Sequence, residues 1–370
     1  MKVGLTGGGT AGHVNPAVAI AEEILRKEPD SRVLFIGREG GKENRAAERA
    51  GLKIETLRVQ GFKRRLFGGN LKALLLALKA TQKAERILRA EGAELVIGTG
   101  GYVCWPVVRA AKRLGIKAVI HESNAEPGLV TRILSGRCDR ILLGYKSAAK
   151  KLSRSAKITV VGNPLRRNFR LISRQNARKA LGIGQNEVFI ISFGGSGGAK
   201  MLNTAMIRFM KEMEDDKNIR HLHATGDRFY KTLSDEKLTK EGSRLQIVPY
   251  VEDMPTALAA ADIAVTRAGA LTLAELAYVG VASILIPSPN VTGNHQYENA
   301  RVISEASGAI LLAEGEGFYE RLSEELSALI RSGERRRLLS RGIQKFSSPN
   351  AAEKIYREIK NLTSISGRES

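Results

Sequence analysis

Cysteine is nearly absent: Cys104 and Cys138 are the only two in 370 residues. Two cysteines build no disulfide framework, and without a CxxC spacing they offer neither a zinc knuckle nor a dithiol redox pair. A reducing compartment is the expectation. Long apolar runs are missing too. No segment approaches the roughly 18 residues of a membrane span, and the densest run, LKALLLALKA, is bracketed by lysines. The N-terminus, MKVGLTGGG, opens as a strand without the charged leader and apolar stretch of a signal peptide. Aromatic residues make up only 5% of the chain, with a single tryptophan. That counts against a nucleic-acid partner, whose basic groove needs stacking platforms. Acidic residues are also scarce, 38 against 59 Lys and Arg, leaving a net charge of +21. Such an excess calls for an anionic partner: nucleic acid, a membrane surface or a phosphate-bearing substrate.

What is present reads as a globular α/β protein. Hydrophobic content of 43% and charged content of 26% exclude a disordered chain, and the length exceeds one ordinary core, so two domains are expected. KVGLT, RVLFIG, LVIGTG, KAVIHE, RILLG and ITVVG read as strands, separated by amphipathic segments such as 16–27 and 71–89. This alternation implies parallel βαβ units. After Gly162-Asn163-Pro164 the chain turns polar and basic, and then VFIISFGGSGGA restarts the pattern, followed by HLHATG, LQIVPY, DIAVTRAG and ASILIP. The halves open alike, TGGGTAG against FGGSGGA. The expected architecture is two tandem Rossmann-like domains, 1–163 and 164–340, with parallel sheets facing across a cleft. The last helical stretch, 334–361, suits either domain, and 341–361 is assigned to a return onto the first.

A glycine turn between strand and helix lets backbone N–H groups approach a phosphate, and the helix N-terminus adds partial positive charge. Two such turns on one cleft describe a diphosphate-sized site. Neither loop ends in the Gly-Lys-Ser/Thr of a P-loop. Gly7, Gly9 and Gly12 do match a dinucleotide fingerprint, and Arg38 at the end of the second strand suits a 2′-phosphate. An NADP enzyme, however, leaves the second half unexplained. His13, directly after the first loop, is either a helix-start histidine bonded to nearby backbone or a general base beside the phosphate site. His221 and His223 alternate on a strand and lack a third ligand for a metal, and His121 sits at a strand end where it can orient its loop. In TRAGALTLAELAYVG the strand DIAVT meets a turn at Gly269, so amides of Ala270–Thr272 face a phosphate. Glu275, one turn in, is either a dipole complement or an acceptor for ribose hydroxyls. Gln296 and Asn299 put amides at the same rim.

GGGTAGHVNPA, IGTGGYV, HESNAEPGL, GNPLR, GGSGGA, RAGALTLAELAYVG and HQYENA follow one another between about residues 3 and 305. In that order they resemble the MurG family, the UDP-N-acetylglucosamine transferases that convert lipid I to lipid II in peptidoglycan synthesis. The resemblance implies a GT-B fold, with an acceptor site in the first half and a UDP-sugar site largely in the second. It implies donor contacts at Thr10, Ala11, Gly12, Asn124, Arg166, Ser196, the Val251 backbone, Ala270, Leu271, Thr272, Glu275 and Gln296, with Asn299 as an addition. It makes His13 the base for inverting attack, with helix dipoles rather than an obligatory metal or other cofactor stabilising the departing UDP. Ser123, Gly197 and the pair Cys104-Trp105 depart from the family's HEQN, GGSQGA and GGYVSGP, the first two within ligand-lining motifs.

The lipid-linked acceptor implied by this resemblance places the protein at the cytoplasmic face of the bacterial membrane, as a peripheral protein beside others of cell-wall synthesis. The segment 61–89 fits an anionic surface. Lys63, Arg64, Arg65, Leu66 and Phe67 form a basic loop with apolar tips, joined by Trp105. Leu71, Leu74, Leu75 and Leu78 are expected to face the sheet, with Lys72, Lys79, Lys83 and Arg86 on an adjoining helical face.

Overall fold

The computed structural model describes residues 1–9, 11–41, 43–60, 69–170, 172–195, 197–233, 238, 240 and 242–366. The assignments to Thr10, Ser196, Lys63, Arg64, Arg65, Leu66 and Phe67 lie outside them. The chain forms two compact units, Met1–Arg167 with Ser348–Ser370, and Asn168–Ser347.

The first unit holds β1 (Lys2–Thr6), β2 (Arg32–Arg38), β3 (Lys53–Leu57), β4 (Leu95–Gly98), β5 (Lys117–Glu122), β6 (Arg140–Leu143) and β7 (Ile158–Val160). They form one parallel sheet in the order β3-β2-β1-β4-β5-β6-β7. Helices cover both faces, so the central strands are apolar throughout instead of alternating. On one face Val14, Val18 and Ala21 of the helix Ala11–Lys27 meet Val3, Leu5 and Phe35. Ile355 and Ile359 of the last helix, Ala351–Ser366, close that layer. Tyr356 donates to Glu28 at 2.8 Å, and Arg140 pairs with Glu358 at 3.2 Å. The final helix is therefore part of the first unit's core. The stretch 334–361 is not one helical run: Gly333–Gln344 packs in the second unit, and the chain breaks around Pro349 before the last helix.

On the opposite face lie the helices Gly69–Ala90 and Cys104–Arg113. Here the expectation for the leucines is corrected. Ala77, Ala80, Ala84, Ile87 and Leu88 face inward, while Leu75 and Leu78 stand 53% and 39% exposed. Small alanines let the two helices approach closely, which rotates the leucine stripe outward. The side chains of Leu71 and Leu74 are outside the described set.

The second unit repeats the plan with β8 (Val188–Phe193), β9 (Ile219–Ala224), β10 (Leu245–Val248), β11 (Ile263–Thr266), β12 (Ala282–Leu285) and β13 (Ile310–Leu311). Their parallel order is β10-β9-β8-β11-β12-β13. Each sheet thus reverses direction between its first and fourth strands, β1/β4 and β8/β11, and the crevice outside the carboxyl ends at that reversal is where such sheets bind ligands.

His221 and His223 belong to this second core. Ser192 Oγ lies 2.7 Å from both His221 Nε2 and His223 Nδ1, and all three side chains are fully buried. They are a packed polar cluster; among the described residues no group of three or more His, Cys, Asp or Glu is placed to hold a metal. Burial pushes both imidazoles below the usual histidine range, His221 well below and His223 to about 4. An unfolded histidine takes up a proton near pH 6.5 while the folded His223 resists until about pH 4, so stability is full above pH 6.5 and falls as the pH drops between these values. For His223 alone the loss is on the order of 3 kcal/mol. In a Glu275→Gln background, which removes the opposing titration of that carboxyl, thermal melts are expected to be flat above pH 7 and to fall from pH 6.5 to 4. A flat profile over that interval contradicts the assignment.

Candidate active site

In the first unit the loops after β1 and β4 lock together. Gly8 N–H donates to the Gly100 carbonyl at 3.2 Å, and Thr99 N–H to the Thr6 carbonyl at 2.8 Å. Gly101 has φ +84°, and a Cβ there would stand 2.1 Å from the Gly8 carbonyl oxygen. Only glycine allows this approach. His13 lies in the first turn of its helix, partly exposed at the rim. Its Nδ1 is 2.8 Å from the Gly8 carbonyl oxygen. A carbonyl only accepts, so Nδ1 carries a proton and, in the neutral ring, Nε2 the lone pair. Thr99 Oγ1 lies 2.6 Å from the carbonyl of His13 and fixes the backbone beneath the ring. Cys104 does not line the site: its thiol is buried against the carbonyls of Thr6 and Gly100 at 3.2 and 3.0 Å, and burial pushes it up to about 12. Trp105 is partly buried, with the Arg109 guanidinium 5.0 Å from its ring centre.

Glu122, which no sequence motif singles out, organises the turn after β5. Its carboxylate accepts from Asn124 N and Nδ2, Gly128 N and Thr131 Oγ1 at 2.6–3.1 Å, which presents Asn124 at the rim. His121 does orient its loop, with Nε2 3.0 Å from the Gly162 carbonyl oxygen, while burial holds its imidazole below the usual range. Ser123 is 2% exposed and faces His121 Nδ1 at 3.4 Å, so this departure from the family points inward rather than at a ligand. Arg166 is exposed and paired with Glu22 at 3.2 Å.

The second unit repeats the interlock. Gly198, with φ +68°, would place a Cβ 2.1 Å from the Thr225 carbonyl oxygen, and Asn203 Nδ2 donates to that same oxygen at 2.8 Å. Gly197 is exposed, and a Cβ added there would meet no atom within 4 Å, so the family's glutamine would fit without displacement. After β11, Gly269 caps the helix Ala270–Val279 without a side-chain hydrogen bond. The positive end of the helix dipole faces the turn after β11. Ala270 and Leu271 have buried side chains, so their backbone is what they offer; Thr272 is partly exposed. Glu275 is partly buried and makes no hydrogen bond or ion pair among the described residues; burial pushes its carboxyl up to about 8. The side chain of Val251 is buried.

Gln296 accepts from Ser288 N–H at 2.9 Å and shares a cavity wall with Gly194 and Gly198. Val251 and Ala270–Glu275 do not line that cavity. Asn299 is corrected: it is fully buried and donates to the Ala268 carbonyl at 3.3 Å, positioning the turn rather than reaching a ligand. Arg267, equally silent in the sequence pattern, holds the strand ends together. It donates to the carbonyls of Ile286 and Pro287 at 3.1 and 3.2 Å and pairs with Glu314 at 2.6 Å.

Two Rossmann-type units, each with interlocked loops at its switch point, an imidazole on one and a helix N-terminus with a carboxyl one turn in on the other, define a two-domain transferase of nucleotide-activated groups. Comparison with known proteins narrows this. The glycosyltransferase family 28 N-terminal domain matches residues 3–143 and its C-terminal domain residues 189–355. Curated relatives named UDP-N-acetylglucosamine–N-acetylmuramyl-(pentapeptide) pyrophosphoryl-undecaprenol N-acetylglucosamine transferase include one from Acetivibrio thermocellus, 39% identical over 98% of both chains. Another, from a Thermoanaerobacter species, is 40% identical over 98% of this chain and all of its own. The crystal structure of Acinetobacter baumannii MurG superposes with a TM-score of 0.76 at 26% identity, covering 97% of this chain and 99% of that one. This chain belongs to the MurG family of glycosyltransferases and has its GT-B fold of two Rossmann-like domains.

Proposed function

We propose that the protein moves N-acetylglucosamine from UDP-N-acetylglucosamine to the 4-hydroxyl of the muramyl sugar in undecaprenyl-linked lipid I, giving lipid II. The observation that carries this reading is the clasp of His13 Nδ1 by the Gly8 carbonyl, which makes Nε2 of the neutral ring the nitrogen able to take a proton at the rim of the glycine loop. In the reaction, Nε2 takes the acceptor O4 proton as O4 attacks the anomeric carbon. The carbon–oxygen bond to the β-phosphate breaks, UDP leaves with the electron pair, and inversion yields a β-1,4 linkage. The amides of Ala270–Thr272 and the helix dipole stabilise the charge developing on the diphosphate, in place of a fixed metal or other cofactor. Glu275 accepts from the ribose hydroxyls, and Gln296 meets the sugar.

The acceptor's lipid tail places the work at a membrane, here the cytoplasmic face, with the protein bound peripherally. No described helix is long and apolar enough to cross a bilayer. What supports surface binding is the exposed pair Leu75 and Leu78, with Lys79 and Lys83 exposed on the same helix. The basic stretch 63–67 immediately precedes it in sequence. Transfer of labelled N-acetylglucosamine to long-chain acceptor in anionic vesicles tests both parts. The wild type is expected to form the disaccharide. Leu75→Ser/Leu78→Ser is expected to lose about tenfold or more on vesicles while keeping its rate on a short-chain, water-soluble acceptor, since two leucines contribute roughly 1.5–3 kcal/mol each when fully buried. Equal rates on vesicles remove the helix from the membrane contact; no disaccharide in either format removes the transfer reading.

A further inference from the structure

A cavity of about 880 Å³ lies within the second unit, at the carboxyl ends of its strands. Gln296 is the one residue it shares with the donor assignment as described. The rest of the wall is unassigned: Lys200, Thr204 and Arg208 along one face of the helix Lys200–Glu212, with Phe229 and Tyr319. The volume suits an organic ligand of substantial size.

The charges in the wall are mostly matched. Arg208 lies 3.7 Å over the Tyr319 ring and pairs with Glu212 at 3.1 Å and Glu320 at 3.9 Å. Arg267 is neutralised by Glu314. Lys200 is different, with no hydrogen bond or ion pair among the described residues. One uncommitted ammonium in a wall that also holds two aromatic rings suits an extended chain bearing a carboxylate, and is too little charge for a second diphosphate.

The acceptor carries such a chain. A muramyl sugar bears its peptide through the lactyl group on O3, one ring carbon from the O4 that attacks the donor. The peptide therefore starts beside the donor sugar, where Gln296 stands, and five extended residues reach about 17 Å. We propose that this cavity is the acceptor's peptide subsite, with Lys200 pairing a peptide carboxylate and Tyr319 and Phe229 packing against the chain. The assignment rests on the transfer reading above.

The test compares kcat/KM for two short-chain lipid-linked acceptors, one with the pentapeptide and one with the peptide removed to the lactyl amide. Wild type, Lys200→Glu and Thr204→Trp are measured, together with UDP affinity. Both positions are exposed, and a glutamate in the first turn favours the helix dipole, so folding is retained. In both variants the preference for the pentapeptide acceptor is expected to fall at least tenfold, chiefly through KM, with unchanged UDP affinity. An unchanged preference overturns the subsite. Weakened UDP binding overturns it too, and returns the cavity to the donor. Transfer to neither acceptor by the wild type overturns the underlying reading and the subsite with it.

Discussion

Replacing His13 with alanine is expected to lower kcat by roughly 10²–10⁴-fold, the range that a positioned general base contributes, while UDP binds as in the wild type. The geometry explains the separation. His13 belongs to the first unit, bonded to Gly8 and standing on a backbone held by Thr99. The groups assigned to UDP belong mainly to the second. Removing the ring takes away the proton acceptor without touching Glu275 or the helix Ala270–Val279. Added imidazole is expected to restore part of the rate, because the vacated rim admits a free base. Steady-state rates with saturating donor, beside UDP titrations of both proteins, check this. A variant within tenfold of wild-type kcat would show that the proton leaves by another route.

Glu275→Gln has the second large effect, and it acts in two directions. A carboxylate accepting from ribose hydroxyls makes charge-assisted bonds, so the amide is expected to weaken UDP binding by about ten- to hundredfold. Without ligand, however, the partly buried carboxyl has no bonding partner among the described residues, and desolvation pushes its pKa up to about 8. The folded state therefore holds this proton more tightly than the unfolded chain. That contribution to stability is fully present below the unfolded carboxylate pKa and is lost as pH rises toward 8. Glutamine never ionises. The variant is thus expected to melt a few degrees above the wild type at pH 8 and close to it at pH 4.5, a trade of stability for binding that is common at functional sites. Parallel melts and UDP titrations decide it; equal melting at pH 8 would mean the carboxyl is solvated after all.

Much of this was legible in the sequence because the decisive features are local. A strand running into a glycine turn and a helix is readable from adjacent residues, and so are the two loops, His13 and the Ala270–Glu275 segment. Two of the four edge strands were not. β3, KIETL, is polar and only half-buried, and β13 is two residues long, so neither shows the apolar run of a central strand. Thr99, Glu122 and Arg267 escaped for a different reason. Each bonds backbone groups, and for Thr99 and Arg267 those partners lie far away in the sequence, so the role exists only after folding. Leu75 and Leu78 were misplaced because helical periodicity identifies a stripe without saying which stripe faces the sheet. Alanines decided that here.

The central claim is that the second unit holds a nucleoside diphosphate, and calorimetric titration of the wild type with UDP at pH 7 in two buffers of different ionisation enthalpy tests it most directly. The account predicts saturable one-to-one binding with release of close to one proton, as the ribose hydroxyls draw Glu275 into its ionised form, and affinity that rises with pH until about 8. Saturable binding of NADPH with none of UDP would contradict it.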